Sequence, residues 1–220
     1  YHQMDITDEN QYESLTTRIA SYKNAETREL FYLAIAPELF PSVSKSINQS
    51  KLVIQGNEHQ SIVFEKPFGH DLESAKEINQ MLWRYFEEKQ IYRIDHYLGK
   101  EMIQNIMMVR FANRIFEEIW HNRSIKNVKI IAKESDGILG RAGYYDKSGA
   151  LRDMVQNHLL QILALIGMDS PDDLSGKNIV DKKLKVLEKI RLSDEIILGQ
   201  YAGYSEERDI EPGSKTETFV

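Results

Sequence analysis

Two short apolar runs constrain the fold more than any other feature: "LFYLAIAP" at 30–37 and "SIVFEKPFG" at 61–69. Both are continuous rather than alternating, and the second is rich in β-branched and aromatic residues, as strands buried on both faces require. The segment between them, about 38–55, has helical character. The stretch "HDLESAKEINQMLWRYFEEKQ" then sets Leu72, Ala75, Ile78, Leu82 and Phe86 three and four residues apart, with Asp71 placed to cap the start. Strand, helix, strand, helix reads as part of a parallel α/β sheet.

After about residue 95 the pattern changes. "KEMIQNIMMVRFANRIFEEIW" (100–120) is a long amphipathic helical stretch, and "IKNVKIIAKES" (125–135) alternates like a half-exposed strand. "SGALRDMVQNHLLQILALIGM" (148–168) predicts a helix of about five turns, "DKKLKVLEKIR" (181–191) a further helix, and "IILGQYAG" (196–203) a further strand. Unequal helices between strands suggest an α+β domain. The expected division is therefore 1–95 for an α/β domain and 96–220 for an α+β domain.

The composition narrows the function classes. A net charge of −6 with a pI near 5.6 argues against a nucleic-acid partner. No cysteine is present, so disulfides and thiolate metal sites are excluded, and a cytoplasmic setting is expected. No apolar run approaches the roughly 18 residues that a membrane span needs. The chain opens on Tyr1 and closes on "TETFV", which reads as a strand cut in mid-course. Both ends read as edges of an excised piece.

Several residues could carry chemistry. Lys66 follows the run "SIVFE", and ligands of open α/β sheets bind outside the carboxyl ends of the strands. It suits an anionic or polyhydroxylated ligand there, or stands as a solvated strand-end lysine. In "YRIDHYLGKE" (92–101), extended backbone would point Asp95 and His96 to opposite faces. His96, Tyr97 and Lys100 then gather near a helix start, where free N–H groups favour an anion. A phosphate cradle and a plain polar turn are both open readings.

His121 lies at the polar end of a helical stretch and reads as a capping or surface residue. His158 lies in mid-helix among leucines, so it is expected to be buried and to need a partner. A satisfied core histidine is one reading. The other is a base whose tautomer is fixed by a carboxylate, and Asp95 is the acid left without a local partner. The glycines of "GILGRAGYYDKSG" (137–149) are spaced G-x-x-G-x-x-G and follow no strand, so they read as an irregular loop rather than a nucleotide fingerprint. No H-E-x-x-H, Walker loop or G-x-S-x-G occurs, and no metal site is expected.

Three stretches together resemble the glucose-6-phosphate dehydrogenase family: "EKPFG" (65–69), "RIDHYLGKE" (93–101) and "GYYDKSGALRDMVQNHLLQIL" (143–163). "FYLAIAP" and "RFANRIFEEIW" are similar to that family in the same order, so the resemblance runs through essentially the whole chain. It implies a Rossmann-like coenzyme domain, represented by its C-terminal half. The first part of a large α+β domain with a mixed or antiparallel sheet follows. It also implies oxidation of glucose 6-phosphate to 6-phosphogluconolactone with hydride transfer to NADP, the first step of the oxidative pentose phosphate pathway. His158 is then the general base and Asp95 its orienting partner. His96, Tyr97 and Lys100 hold the sugar phosphate, Glu134 and Asp153 bind sugar hydroxyls, and Lys66 reaches both sugar and coenzyme. A homodimer or homotetramer is implied for the full-length protein.

One difficulty follows from spacing: residues five apart on an α-helix point roughly 140° apart, so Asp153 and His158 reach one sugar only if the helix is irregular or the ligand lies across it. The family's opening glycine turn and its C-terminal part have no counterpart here, so these 220 residues alone are expected not to turn over. A non-catalytic sugar-phosphate-binding or assembly module is the alternative, and an isomerase or epimerase using the same base is a weaker one.

Overall fold

The computed structural model describes residues 1–24 and 26–220, which fall into two compact units, Tyr1–Ile94 and Asp95–Val220. In the first unit, β1 (Glu29–Leu33), β2 (Gln60–Phe64) and β3 (Ile91–Arg93) form a parallel sheet in the order β1-β2-β3. Leu33 pairs with Phe64, and Phe64 with Arg93, so the three strands end level with one another. Helix α1 (Tyr12–Ala20) precedes the sheet, and α2 (Phe40–Gln49) and α3 (Leu72–Trp83) connect its strands. Asp71 caps α3 reciprocally with Ser74, accepting from its N–H at 2.8 Å.

The core of this unit joins Phe40, Ile47, Leu52, Ile62, Phe64, Leu82 and Phe86. Phe40 meets Phe64 edge-on at 5.1 Å between ring centres. Gln90, 1% exposed, ties the loop under the sheet: its Nε2 donates to the carbonyls of Ile54, Asn57 and Gln60, and its Oε1 accepts from Gly56 N–H. One expectation is corrected here. The run 30–37 is not buried on both faces: Leu30 and Tyr32, which alternate onto one face of β1, are exposed. Helix α3 also stops at Trp83, and Phe86 reaches the core from the turn that follows.

The second unit is helical: α4 (Glu101–Phe111), α5 (Arg114–Ile119), α6 (Ala142–Ala150), a π-helical segment (Leu151–Leu159), α7 (Leu160–Gly167) and α8 (Gly176–Leu187). The expected helix at 100–120 is broken at 112–113, where Asn113 caps α5. The expected strands at 125–135 and 196–203 do not form. Alternation prepares a face but supplies no ladder partner, and among the described residues of this unit the pairing is one isolated antiparallel bridge, Gly199 with Phe219. The stretch 137–149 is a loop only as far as Arg141, and helix α6 follows, with a break at Gly149 (φ 71°). Buried Arg110 donates from both terminal nitrogens to the carbonyls of Leu165 and Met168, and so satisfies the end of α7. No helix among the described residues is long and apolar enough to cross a membrane.

Candidate active site

The site of the second unit starts at a turn. Leu98, Gly99 and Lys100 N–H groups bond back to the carbonyls of Asp95, His96 and Tyr97 at 3.1–3.2 Å. The extended backbone expected for 93–97 therefore stops at β3, and the turn lets neighbouring side chains converge. Asp95 Oδ1 accepts from the Tyr97 N–H at 2.9 Å, which fixes the carboxylate from its own side. Lys100 then stands at the N-cap of α4.

His158 comes from the π-helical segment and is 1% exposed. Its Nδ1 lies 2.7 Å from Asp95 Oδ1. With an ionised carboxylate at that distance, Nδ1 carries the proton and Nε2 is the basic nitrogen. The structure also shows how Asp153 and His158 share a side. In a π-helix the backbone bonds run i to i+5, so residues five apart stand one turn above another instead of diverging as on an α-helix. Leu160 N–H indeed bonds to Val155 carbonyl across that span. Asp153 is 6% exposed and accepts from the Tyr144 hydroxyl at 3.1 Å.

Aromatic contacts complete the arrangement. Tyr97 stacks on His158 with ring centres 4.1 Å apart and planes 16° apart, and Lys100 Nζ sits 3.6 Å from the Tyr97 ring centre. His96 meets the His158 ring at 4.9 Å. The Tyr97 hydroxyl donates to Glu134 Oε1 at 3.0 Å. Burial, and then the Glu134 carboxylate, push the Tyr97 phenol up to about 12, so it remains a donor. The structure thus gathers Asp95, His96, Tyr97, Lys100, Glu134, Asp153 and His158 within one unit. Lys66 belongs to the other unit, two residues beyond the carboxyl end of the central strand β2.

Two residues escaped the sequence reading. Tyr144 touches Asp153 from nine positions away across the break at Gly149, a relation no spacing rule encodes. Lys183, on α8, has its ammonium drawn below its ordinary value by burial while the Asp95 charge opposes that shift. Asp95 Oδ2 is buried and makes no hydrogen bond, and the Lys183 charge acts on the Asp95 carboxylate at longer range than an ion pair. Donor atoms of Asp95, His96 and His158 do lie within 4.8 Å of one another. A zinc-like ion holds its ligands at about 2.0–2.2 Å and would have to displace the Asp95–His158 bond, so the geometry favours the hydrogen-bonded pair.

The chain as a whole is similar to known proteins. The model of the glucose-6-phosphate dehydrogenase NAD binding domain matches residues 1–105, and that of the C-terminal domain of the same enzyme matches residues 107–220. Glucose-6-phosphate 1-dehydrogenase of Bacillus subtilis is 44% identical over 100% of this chain and 49% of its own length. The cytoplasmic glucose-6-phosphate 1-dehydrogenase 5 of Arabidopsis thaliana is 47% identical over 91% of this chain and 40% of its own. Among solved structures, the Mycobacterium avium enzyme superposes with a TM-score of 0.86 at 37% identity, covering 98% of this chain and 47% of that one. A glucose-6-phosphate dehydrogenase in complex with its substrate glucose-6-phosphate gives 0.87 at 35% identity, covering 99% and 48%. The chain spans about half the length, or less, of the curated relatives it matches.

Proposed function

The chain belongs to the glucose-6-phosphate dehydrogenase family, and on that premise we propose that the whole protein containing it oxidises glucose 6-phosphate at C1. The observation that carries this reading is the 2.7 Å contact between His158 Nδ1 and Asp95 Oδ1. Asp95 holds the imidazole in one tautomer, so Nε2 takes the proton of the C1 hydroxyl as the hydride leaves. A base so positioned contributes about 10²–10⁴-fold. His96, Tyr97 and Lys100 grip the phosphate at the start of α4. That remote grip holds C1 in register with His158. Glu134, oriented by the Tyr97 hydroxyl, and Asp153, oriented by Tyr144, bind sugar hydroxyls.

A nicotinamide dinucleotide, when bound, supplies the hydride acceptor. The carboxyl edge of the parallel sheet and Lys66 beside it fit such a group. We assign NADP as that dinucleotide. The domain division is read as 1–95 and 96–220, the second part opening a larger α+β domain whose mixed or antiparallel sheet begins with the Gly199–Phe219 bridge. A cytoplasmic homodimer or homotetramer, acting on neither membrane nor nucleic acid, completes the reading.

The test is glucose 6-phosphate-dependent NADP reduction by the full-length protein, with Lys100→Ala and His158→Asn beside it. Both variants should lose turnover, and only Lys100→Ala should lose affinity for the sugar phosphate. A protein that binds the sugar phosphate and never reduces NADP is a binding module, and this reading then fails.

A further inference from the structure

The residues 95–100 hold a contact that phosphate binding alone does not explain. Tyr97 stacks on the base at 4.1 Å, and Lys100 Nζ stands 3.6 Å from the centre of the same ring. One ring face has room for one such neighbour, so the ammonium and the imidazole take opposite faces. The ring is held in place on its own account: Tyr97 is 9% exposed, packs with Ile103, Ile162 and Leu165, and bonds to Glu134 through its hydroxyl. The aromatic plate therefore stands between Lys100 and His158.

We propose that Tyr97 is a positioning residue that couples the charge state at Lys100 to the proton held by His158, so that a bound phosphate dianion readies the base. This rests on the reading of His158 as base and Lys100 as phosphate ligand. A cation is attracted to either face of an aromatic ring, but two cations across one ring repel each other at short range. Protonated His158 and an un-neutralised Lys100 are such a pair. A phosphoryl dianion on Lys100 cancels the repulsion, and proton affinity at His158 rises when a phosphorylated sugar is in place. A sugar without the phosphate leaves the repulsion intact. The ligand class that activates the base is therefore a phosphomonoester dianion, and phosphate recognition enters the chemical step as well as binding.

Of the other charged or titratable neighbours of His158, His96 also holds the phosphate, and its influence does not pass through the face of the Tyr97 ring. Asp95 bonds to its Nδ1 and Lys183 offsets Asp95 from α8, and neither is placed on Tyr97 as Lys100 is. His96 meets it at a ring edge, Asp153 lies on its own segment, and Glu134 contacts the Tyr97 hydroxyl rather than the ring face.

The experiment is a titration of His158 by ¹⁵N-histidine NMR in the full-length protein, assigned with His158→Asn, with and without saturating inorganic phosphate. Phosphate should raise the titration midpoint by about one pH unit in the wild type, the size of a charge–charge term across one ring in a protein of moderate effective dielectric. With phosphate raised until it saturates each variant, Tyr97→Phe keeps the ring and should keep the rise. Tyr97→Leu removes the plate and should reduce it by half or more. Equal midpoints in the wild type with and without phosphate overturn the proposal, as does a rise undiminished in Tyr97→Leu. Should Tyr97→Leu fail to fold, the wild-type and Tyr97→Phe titrations still decide, since an absent rise in either one overturns the role of the ring. NADP reduction by the same wild-type sample separates this outcome from failure of the dehydrogenase reading.

Discussion

Both units bury polar side chains, but the first buries uncharged ones and the second charged or titratable ones. In residues 1–94 the central strand β2 is buried at Gln60, Ile62, Val63 and Phe64, and the buried polar side chains are Ser44, Ser46, Gln60 and Gln90, of which the two glutamines tie loops. In residues 95–220 the buried polar groups are Arg110, Asp153 and His158, all charged or titratable. Charged or titratable side chains are expensive to bury without partners. Among the described residues, the first unit buries only neutral polar side chains, and the second accepts the larger cost of burying Arg110, Asp153 and His158, the last two of which the proposed function uses.

The largest effect that would break this contrast is on turnover. Asp95→Asn should lower kcat of the full-length protein by about 10²–10⁴-fold, since the amide no longer holds Nδ1 as the protonated nitrogen. Amide hydrogen exchange in β1–β3 should be unchanged. If turnover survives while the sheet loses protection, Asp95 is a structural residue and the contrast collapses.

Phe64→Ala inverts that test. Its ring is fully buried against Phe40, and its removal should cost about 3–5 kcal/mol, read as faster exchange across β1–β3. Gln90→Leu comes next, at about 1–3 kcal/mol. Leucine fits the volume, but it strands the carbonyls of Ile54, Asn57 and Gln60 and the Gly56 N–H. A neutral result there would mean that water takes over those groups and that the first unit is less closed than its burial implies.

Much of the first unit is legible in the sequence because its signals are local. Two apolar runs, one periodic helix and Asp71 before it are each complete within twenty residues, and they yield the sheet and α3. The exposure of Leu30 and Tyr32 is not legible, since a run reports hydrophobicity and not which face of its strand is covered. The second unit misleads where its signals are relational. The alternation at 125–135 promises a strand, yet no neighbour completes a ladder. The spacing of Asp153 and His158 argues against a shared side on an α-helix, and the π-helical segment removes that objection. The Asp95–His158 pairing could be reached by elimination, because a mid-helix histidine and an unpartnered acid each imply a missing contact. Tyr144, Lys183 and the plate between Lys100 and His158 are created by the fold.

Alkaline titration sharpens the comparison from the second unit's side. Tyr97 and Tyr145 are both pushed up to about 12, chiefly by burial. A raised phenol favours the protonated folded form. Its contribution is therefore full below the ordinary tyrosine range near 10 and is lost as pH climbs toward about 12. Absorbance at 295 nm should show these two ionising only as pH climbs toward about 12, together with loss of the second unit's helical signal. Early ionisation of all tyrosines would mean that this interior is open to water.

The smallest effect compares one helix cap from each unit. Asp71 accepts the Ser74 N–H at 2.8 Å and the Ser74 hydroxyl returns to Asp71 N–H, whereas Ser175 accepts the Asn178 N–H at 3.4 Å with no reciprocal bond. Replacing a cap by alanine typically costs about 1 kcal/mol, and a long single bond should fall at the low end of the range, near 0.5. Asp71→Ala should therefore raise exchange of the first-turn amides of α3 about fivefold, and Ser175→Ala those of α8 about twofold, by the usual conversion of free energy to ratio. Lys183 lies in α8, two turns from that cap, so the same Ser175→Ala variant also reports on the site. Unchanged kcat with a frayed α8 start would show that Lys183 is held by packing near Asp95 rather than by the end of its helix. A fall in kcat would instead make the weaker cap the more functional of the two.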